Sequence, residues 1–224
     1  MSWSYYEDPR PDIQAVVEAP GRRFLDVGCA SGALGVALKD IGAAYVAGIE
    51  GHAVAAAKAR GRLDVVVEGD ILSAPLPFSP GEFDWVILAD ILEHLPDPAA
   101  VLHRYLPYLR PDGRVVVSIP NMRFYSVLLR LIVDRWSYTE HGIRDRTHLR
   151  IFTRRSLLAL LASCDLLVDR LERNYRLVED QSDIGRLGAI ATRVARVTIA
   201  PFLFPDLLAF QYIAVARRRR PGSQ

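Results

Sequence analysis

The stretch Phe24-Leu25-Asp26-Val27-Gly28-Cys29-Ala30-Ser31-Gly32 constrains the fold more than any other part of the chain. An apolar strand-forming run delivers the backbone to a turn of small residues, and the helix-forming Ala33–Asp40 starts directly behind it. Small residues let the backbone approach a bound molecule closely, and a helix start offers unpaired N–H donors. The alternation then continues. Tyr45–Glu50 reads as a strand, Ala53–Arg60 as a helix, Val65–Val67, Trp85–Leu88 and Arg114–Ile119 as further strands. The helix before that fifth strand starts at the cap Asp97, with Pro98 in its first turn, and ends near Arg110-Pro111-Asp112-Gly113. Strand and helix in this rhythm make βαβ units and a parallel sheet. The near-continuous apolar strands fit a sheet buried on both faces.

After Pro120 the rhythm breaks. Tyr125–Val133 is an apolar helical stretch, followed by the polar segment His141–His148. Thr153 caps a helix through Ser163, Leu166–Asn174 reads as a sixth strand, and Phe210–Ala216 as a last one. Between them, Ile184–Thr198 carries Ile184, Leu187, Ala191, Val194 and Val197 at helical spacing. The chain therefore reads as one α/β domain over residues 1–224. Residues 1–20 form an N-terminal arm, and 121–150 and 183–206 are additions to the sheet.

Composition excludes several classes. With 50% apolar residues among 224, the chain is too apolar for disorder. Two cysteines are too few for a disulfide framework or a Cys-based zinc site, which fits a reducing cytoplasm. No apolar stretch reaches the roughly 20 clean residues of a membrane span, and Met1–Asp8 lacks the basic start and apolar core of a secretion signal. A net charge of +2 gives no reason to expect a nucleic-acid partner. The basic face Arg186, Arg193 and Arg196 and the tail Arg217–Arg220 read as a solvated lid and tail, in preference to contact with anionic lipid. Oligomeric state is not legible.

A nicotinamide dinucleotide site would want Gly-x-Gly-x-x-Gly in the first turn. Here Ala30 stands at the second glycine, and Gly32 comes one residue too early for the third. Glu50 ends the next strand, where a carboxylate can accept both hydroxyls of a ribose. Asp70 follows the third strand, placed to accept from the exocyclic amine of a base. Loop, Glu50 and Asp70 together point to an adenosine-type ligand. With Phe83-Asp84-x-Val86, Glu93-His94-Leu95-x-Asp97-Pro98 and Leu109-Arg110-Pro111-Asp112-Gly113-Arg114, the chain resembles the class I S-adenosylmethionine-dependent methyltransferases over roughly Arg23–Asn121.

The resemblance implies a doubly wound, mostly parallel seven-stranded sheet with an antiparallel last strand. It implies S-adenosylmethionine as cofactor, with S-adenosylhomocysteine as product. Asp26, Gly28 and Gly32 would form the turn around its methionine part, Glu50 would hold its ribose, Asp70 with Ile71 its adenine, Ala89 and Asp90 would line its sulfonium side, and Cys29, Ala30 and Gly51 would also contact it. Tyr5, Tyr6 and Arg10 look like a leading segment that folds over the cofactor, with Arg10 able to pair with its carboxylate. A tethered surface arm is the alternative.

The segment Asp145-Arg146-Thr147-His148-Leu149-Arg150-Ile151-Phe152-Thr153 looks like bacterial methyltransferases that act on small molecules and glycan precursors. Methyl transfer to a hydroxyl needs positioning and a base, and neutral imidazole suits pH 7. His148 is the first choice, unless Asp145, Arg146 and His148 merely tie the insertion to the sheet. His94 comes second and His141 third, while Asn121 could orient the acceptor. His52 lies beside the ribose carboxylate, and His103 falls in mid-helix. No His/Asp/Glu cluster has convincing metal-ligand spacing. The expected activity is O-methylation of a small molecule or sugar-containing precursor. Two rivals are an NAD-dependent oxidoreductase and a non-catalytic subunit that binds S-adenosylmethionine.

Overall fold

The computed structural model describes residues 7–175 and 205–219. The expectations for Tyr5, Tyr6, the helix Ile184–Thr198 and Arg220 lie outside the described residues. The strands are β1 (Arg23–Val27), β2 (Tyr45–Glu50), β3 (Val65–Glu68), β4 (Phe83–Ala89), β5 (Leu109–Pro120), β6 (Leu166–Tyr175) and β7 (Ala209–Arg218). The helices are α1 (Pro11–Gln14), α2 (Ala33–Asp40), α3 (Ala53–Arg60), α4 (Pro98–Tyr105), α5 (Tyr125–Ile132), α6 (Arg154–Ser163) and α7 (Pro205–Leu208).

The strands form one sheet in the order β3-β2-β1-β4-β5-β7-β6. Neighbours from β3 to β5 pair parallel, and β7 runs antiparallel to both β5 and β6. Alternate residues of the buried strands feed two apolar layers. Phe24, Val46, Trp85 and Ile87 meet Ile13, Leu34 and Leu38 on one face. Leu25, Ala47, Val86 and Leu88 meet Val101, Leu102, Leu157 and Leu161 on the other. The strand order reverses between β1 and β4, where open α/β sheets leave a crevice at the carboxyl ends of their strands.

Local chemistry sets the helix starts. Asp97 Oδ1 accepts from the Ala100 amide at 3.0 Å, and Pro98 occupies the first turn. Thr153 and Ser156 form a reciprocal capping box at α6.

Two regions differ from the sequence reading. The helix α4 ends at Tyr105 and is followed by a 3₁₀ turn, Leu106–Tyr108, so that β5 already begins at Leu109. Leu109 pairs with Phe83 and Arg114 with Trp85, and the residues between them bulge from the ladder. At the N-terminus, α1 is packed on the sheet: Ile13 and Ala19 are buried against the layer that contains α2. Burying an isoleucine is worth about 2 kcal/mol, which anchors this part of the arm.

Candidate active site

The carboxyl ends of β1, β2 and β4 bring Asp26, Glu50 and Asp90 to the crevice. Gly28 and Gly32 take positive φ values of 78° and 82°, and Ala30 takes 51°. At Gly28 a side chain would be strained by the positive φ and would have to displace Ile91, whose Cδ1 lies 2.2 Å from where a Cβ would stand. Ala30, at the second glycine position of a dinucleotide turn, keeps the left-handed conformation that glycine adopts without strain. The loop is tied to β2, with the Gly28 and Cys29 amides donating to Ile49 O at 2.8 and 3.0 Å. The Cys29 side chain is buried against Gly48, where a Cβ would come within 2.4 Å of its sulfur. Any contact of Cys29 with a ligand is therefore left to its backbone.

Glu50 accepts from the Ala30 amide at 2.9 Å through Oε2, and from the His52 amide at 2.7 Å through Oε1. Each oxygen keeps lone-pair capacity for a hydroxyl. His52 itself caps α3 by accepting from Ala55 N. Asp70 is exposed, and its Oδ1 accepts from the Leu72 amide at 2.8 Å, while Tyr105 Oη donates to Ile71 O at 2.7 Å. Asp26 is 3% exposed and its carboxyl has no hydrogen-bond partner among the described residues. Burial raises its pKa to about 7, with Glu50 adding to the rise and Arg10 opposing it. A buried, unpartnered carboxyl beside a close-approach glycine turn suits an ammonium group, and the paired acceptors of Glu50 suit a diol. The donor set therefore fits the aminocarboxypropyl and ribose groups of an S-adenosyl compound.

Arg10 closes this site from the N-terminal side. Its Nε and Nη2 hold the two oxygens of Asp12 at 3.0 Å each, Nη1 reaches Asp90 Oδ2 at 2.7 Å, and Nη2 reaches Ser118 Oγ at 2.9 Å. Among the described residues four of its five side-chain N–H donors are engaged, and one donor on Nη1 is left over. Asp90 Oδ1 also accepts from Ser118 Oγ at 3.0 Å and from Gln211 Nε2. Ser118 and Gln211 were not singled out in the sequence, although each is a polar residue inside an otherwise apolar strand.

A second cluster, which holds the sequence's candidate bases, is built where the turn after β4 meets the segment 143–152. The Glu93 carbonyl accepts the amides of Leu149 and Arg150 at 2.8 and 2.9 Å, and Met122 N donates to Phe152 O at 2.9 Å. His94 and His148, far apart in sequence, stack edge to face with ring centroids 4.7 Å apart. His148 Nδ1 lies 3.1 Å from Ile143 O, which can only accept, so Nδ1 carries the proton and Nε2 is bare. Burial, then the neighbouring His94, hold the His148 pKa below its ordinary value. Glu93 is 1% exposed, its Oε2 has no hydrogen-bond partner among the described residues, and burial and then Asp90 raise its pKa well above the usual carboxyl range. One potential ligand atom each from Glu93, His94 and His148 fall within 4.8 Å, a grouping that sequence spacing hides.

The other sequence candidates lie elsewhere. Asn121 is a correction: it is fully buried, and its Nδ2 donates to Asp206 O and Ala209 O at 2.7 Å while Oδ1 accepts from Arg123 N. Its capacity is spent on joining the end of β5 to the start of β7, and it cannot orient an acceptor. His141 is exposed in the loop before Gly142, and His103 sits in α4. Among the described residues no helix is long and apolar enough to cross a membrane.

A family model described as a methyltransferase domain matches residues 5–170. The chain belongs to this family. The methyltransferase is 32% identical over 180 residues to a ubiquinone biosynthesis O-methyltransferase of Azotobacter vinelandii, an alignment that spans 75% of this chain and 78% of the relative. It is 37% identical over 117 residues to the enzyme of the same name from Thiobacillus denitrificans, over half of each chain. Among solved structures, it matches an S-adenosylmethionine-dependent methyltransferase from Archaeoglobus fulgidus with a TM-score of 0.66 and 17% identity, over 97% of this chain and 95% of that one. Another from Mesorhizobium loti gives a TM-score of 0.62 and 19% identity, over 93% and 96% of the chains. The seven-stranded, mostly parallel sheet is the fold of these neighbours. The methyltransferase is of class I, and its family implies S-adenosylmethionine as methyl donor.

Proposed function

We propose that the protein methylates an oxygen of a small molecule or sugar-containing precursor, with the His94–His148 pair as general base. The relatives' names carry O-methylation, which favours oxygen over nitrogen or carbon as the atom modified. The observation that carries the base is His148: a partly buried imidazole, kept neutral by burial and by His94, with its Nδ1 proton committed to Ile143 O.

When bound, S-adenosylmethionine supplies an electrophilic methyl group on its sulfonium. The chain's own residues bind and orient. The turn Gly28–Gly32, with Asp26 and Arg10, holds the amino-acid end, Glu50 and Gly51 hold the ribose, and Asp70 with Ile71 hold the adenine. Ala89 and Asp90 line the reacting side. The acceptor's hydroxyl proton passes to a bare imidazole nitrogen of the pair, and its oxygen lone pair forms the new O–CH₃ bond as the S–CH₃ bond breaks, the electron pair of that bond going to the sulfur of the departing S-adenosylhomocysteine. Asp145, behind this pair, holds the segment that presents His148.

This reading requires no metal. Asp90 is tied to Arg10, Ser118 and Gln211, and burial favours the neutral form of Glu93, so the carboxyl groups beside the pair are not offered as anionic ligands. The test is an acceptor screen with labelled donor, in which phenolic and sugar hydroxyl compounds gain label and the corresponding amines do not. Label on amines alone would overturn the oxygen assignment.

A further inference from the structure

A threonine hydroxyl has a single proton, and the one on Thr147 is already committed. Thr147 Oγ1 donates to Asp145 Oδ1 at 2.7 Å, and the same carboxylate oxygen accepts the Thr147 amide at 2.8 Å. Asp145 is 8% exposed, and its side-chain hydrogen bonds among the described residues are these two, so its charge is focused on Thr147. On its other side, Thr147 Oγ1 lies 2.9 Å from His94 Nδ1. With its proton directed at a carboxylate, the hydroxyl can serve that nitrogen only as an acceptor. The Thr147 carbonyl, 3.3 Å from the same nitrogen, also accepts only. Every partner of His94 Nδ1 therefore requires a proton on it, and the ring's lone pair falls on Nε2.

We propose that Thr147 is a positioning residue, the middle of an Asp145–Thr147–His94 chain that fixes His94 as the Nδ1–H tautomer with Nε2 bare beside His148. This rests on the reading that the imidazole pair is the base. The chain has the logic of a carboxylate behind a catalytic imidazole, with a hydroxyl interposed: it sets the tautomer, restrains the ring and supports the positive charge left after a proton is taken up. His148 reaches the same tautomer by a different route, through a backbone carbonyl that no side-chain substitution removes. The two imidazoles thus differ in how they can be disabled. Thr147 controls one of them.

The test reads the tautomer directly and needs no acceptor. Two-dimensional ¹H–¹⁵N spectra of ¹⁵N-histidine-labelled protein distinguish a protonated Nδ1 from a protonated Nε2, and His94→Ala assigns the His94 signals. Wild type and Thr147→Ser should both show His94 protonated at Nδ1. Thr147→Val, of nearly the same shape, should lose that pattern for His94 and keep it for His148. Should Thr147→Val fail to fold, as judged by S-adenosylhomocysteine binding, Asp145→Asn provides the second variant, in which the His94 pattern should also weaken. Once an acceptor is found, Thr147→Val should lower kcat by about tenfold or more, with Thr147→Ser restoring most of it. An unchanged His94 tautomer in Thr147→Val would overturn the inference whatever the turnover, and so would wild-type turnover in a variant that has lost the tautomer. The parent reading fails separately: it falls if His94→Ala and His148→Ala both turn over at the wild-type rate.

Discussion

Arg10 Nη1 lies 2.7 Å from Asp90 Oδ2, although 80 residues separate them in sequence. The contact ties the segment ahead of α1 to the end of β4, at the crevice. Both side chains are mostly shielded, at 14% and 21% exposure, so neither loses its partner cheaply. In a double-mutant cycle, Arg10→Met and Asp90→Asn should show a coupling of roughly 1–3 kcal/mol by urea unfolding. Arg10→Met alone should also weaken S-adenosylhomocysteine binding at least about tenfold, because the proposed carboxylate partner is lost with the latch. Additive stabilities with unaltered affinity would contradict both roles.

Asp26 sets binding against stability. Its carboxyl is protonated in the fold up to about pH 7, against 3.8 for the ordinary group, because it is buried. The fold is thus favoured by this proton below about pH 4, and that contribution is lost progressively as pH rises from 4 to 7. Asp26→Asn never bears the ionised form's burial cost. The ligand-free variant should be more stable than wild type at pH 8, by on the order of 3 kcal/mol, with the margin shrinking steadily as pH falls and closing below about pH 4. Its affinity for S-adenosylhomocysteine should fall. Higher stability with undiminished affinity would remove Asp26 from the binding site.

His148→Ala should lower kcat by about 10²-fold or more. Since burial and His94 hold the His148 pKa below 6.5, the acid limb of kcat/KM should lie below that pH, with activity falling as the imidazole takes up a proton. A limb above 7, or a profile that His148→Ala leaves unmoved, would count against His148 as the base.

Ala30→Gly relieves a left-handed alanine in the cofactor turn. The exchange should leave S-adenosylhomocysteine affinity within about threefold, and thermal unfolding should show a stability change of no more than about 1 kcal/mol. Ala30→Val should be poorly tolerated, because a β-branched residue resists positive φ. Equal tolerance of glycine and valine would mean that the turn is not held in this conformation.

Dialysis against EDTA should leave turnover unchanged, and added Mg²⁺ or Zn²⁺ should not raise it. Loss of activity on chelation with recovery on metal addition would assign Glu93, His94 and His148 a ligand role instead of an acid–base one.

The sheet was legible because its signals are local. An apolar run ending at Gly28, the cap at Asp97 and the capping Thr153 each depend on a few neighbouring residues, and the structure places elements where those residues put them. The start of β5 was not legible, since proline and glycine at 111 and 113 read as a break, whereas pairing of Leu109 with Phe83 starts the strand earlier. Arg10, Glu50 and Asp70 could be named from their order along the chain. What they bond to could not. The Arg10–Asp90–Ser118–Gln211 network joins four segments, and only the sheet order makes them neighbours. The same holds for His94 and His148, whose contact depends on the segment 143–152 returning across the turn after β4. Asn121 misled because an amide at a strand end looks available until its partners Asp206 and Ala209 are seen.

The most direct measurement is calorimetric titration of the protein with S-adenosylhomocysteine and, in parallel, with NAD. The turn at Gly28–Gly32, the unpartnered carboxyl of Asp26 and the paired acceptors of Glu50 require binding of the first at one site, with weakening in Asp26→Asn and Glu50→Ala, and no binding of the second. Binding of NAD alone, or S-adenosylhomocysteine binding that neither substitution weakens, would contradict the account of this site.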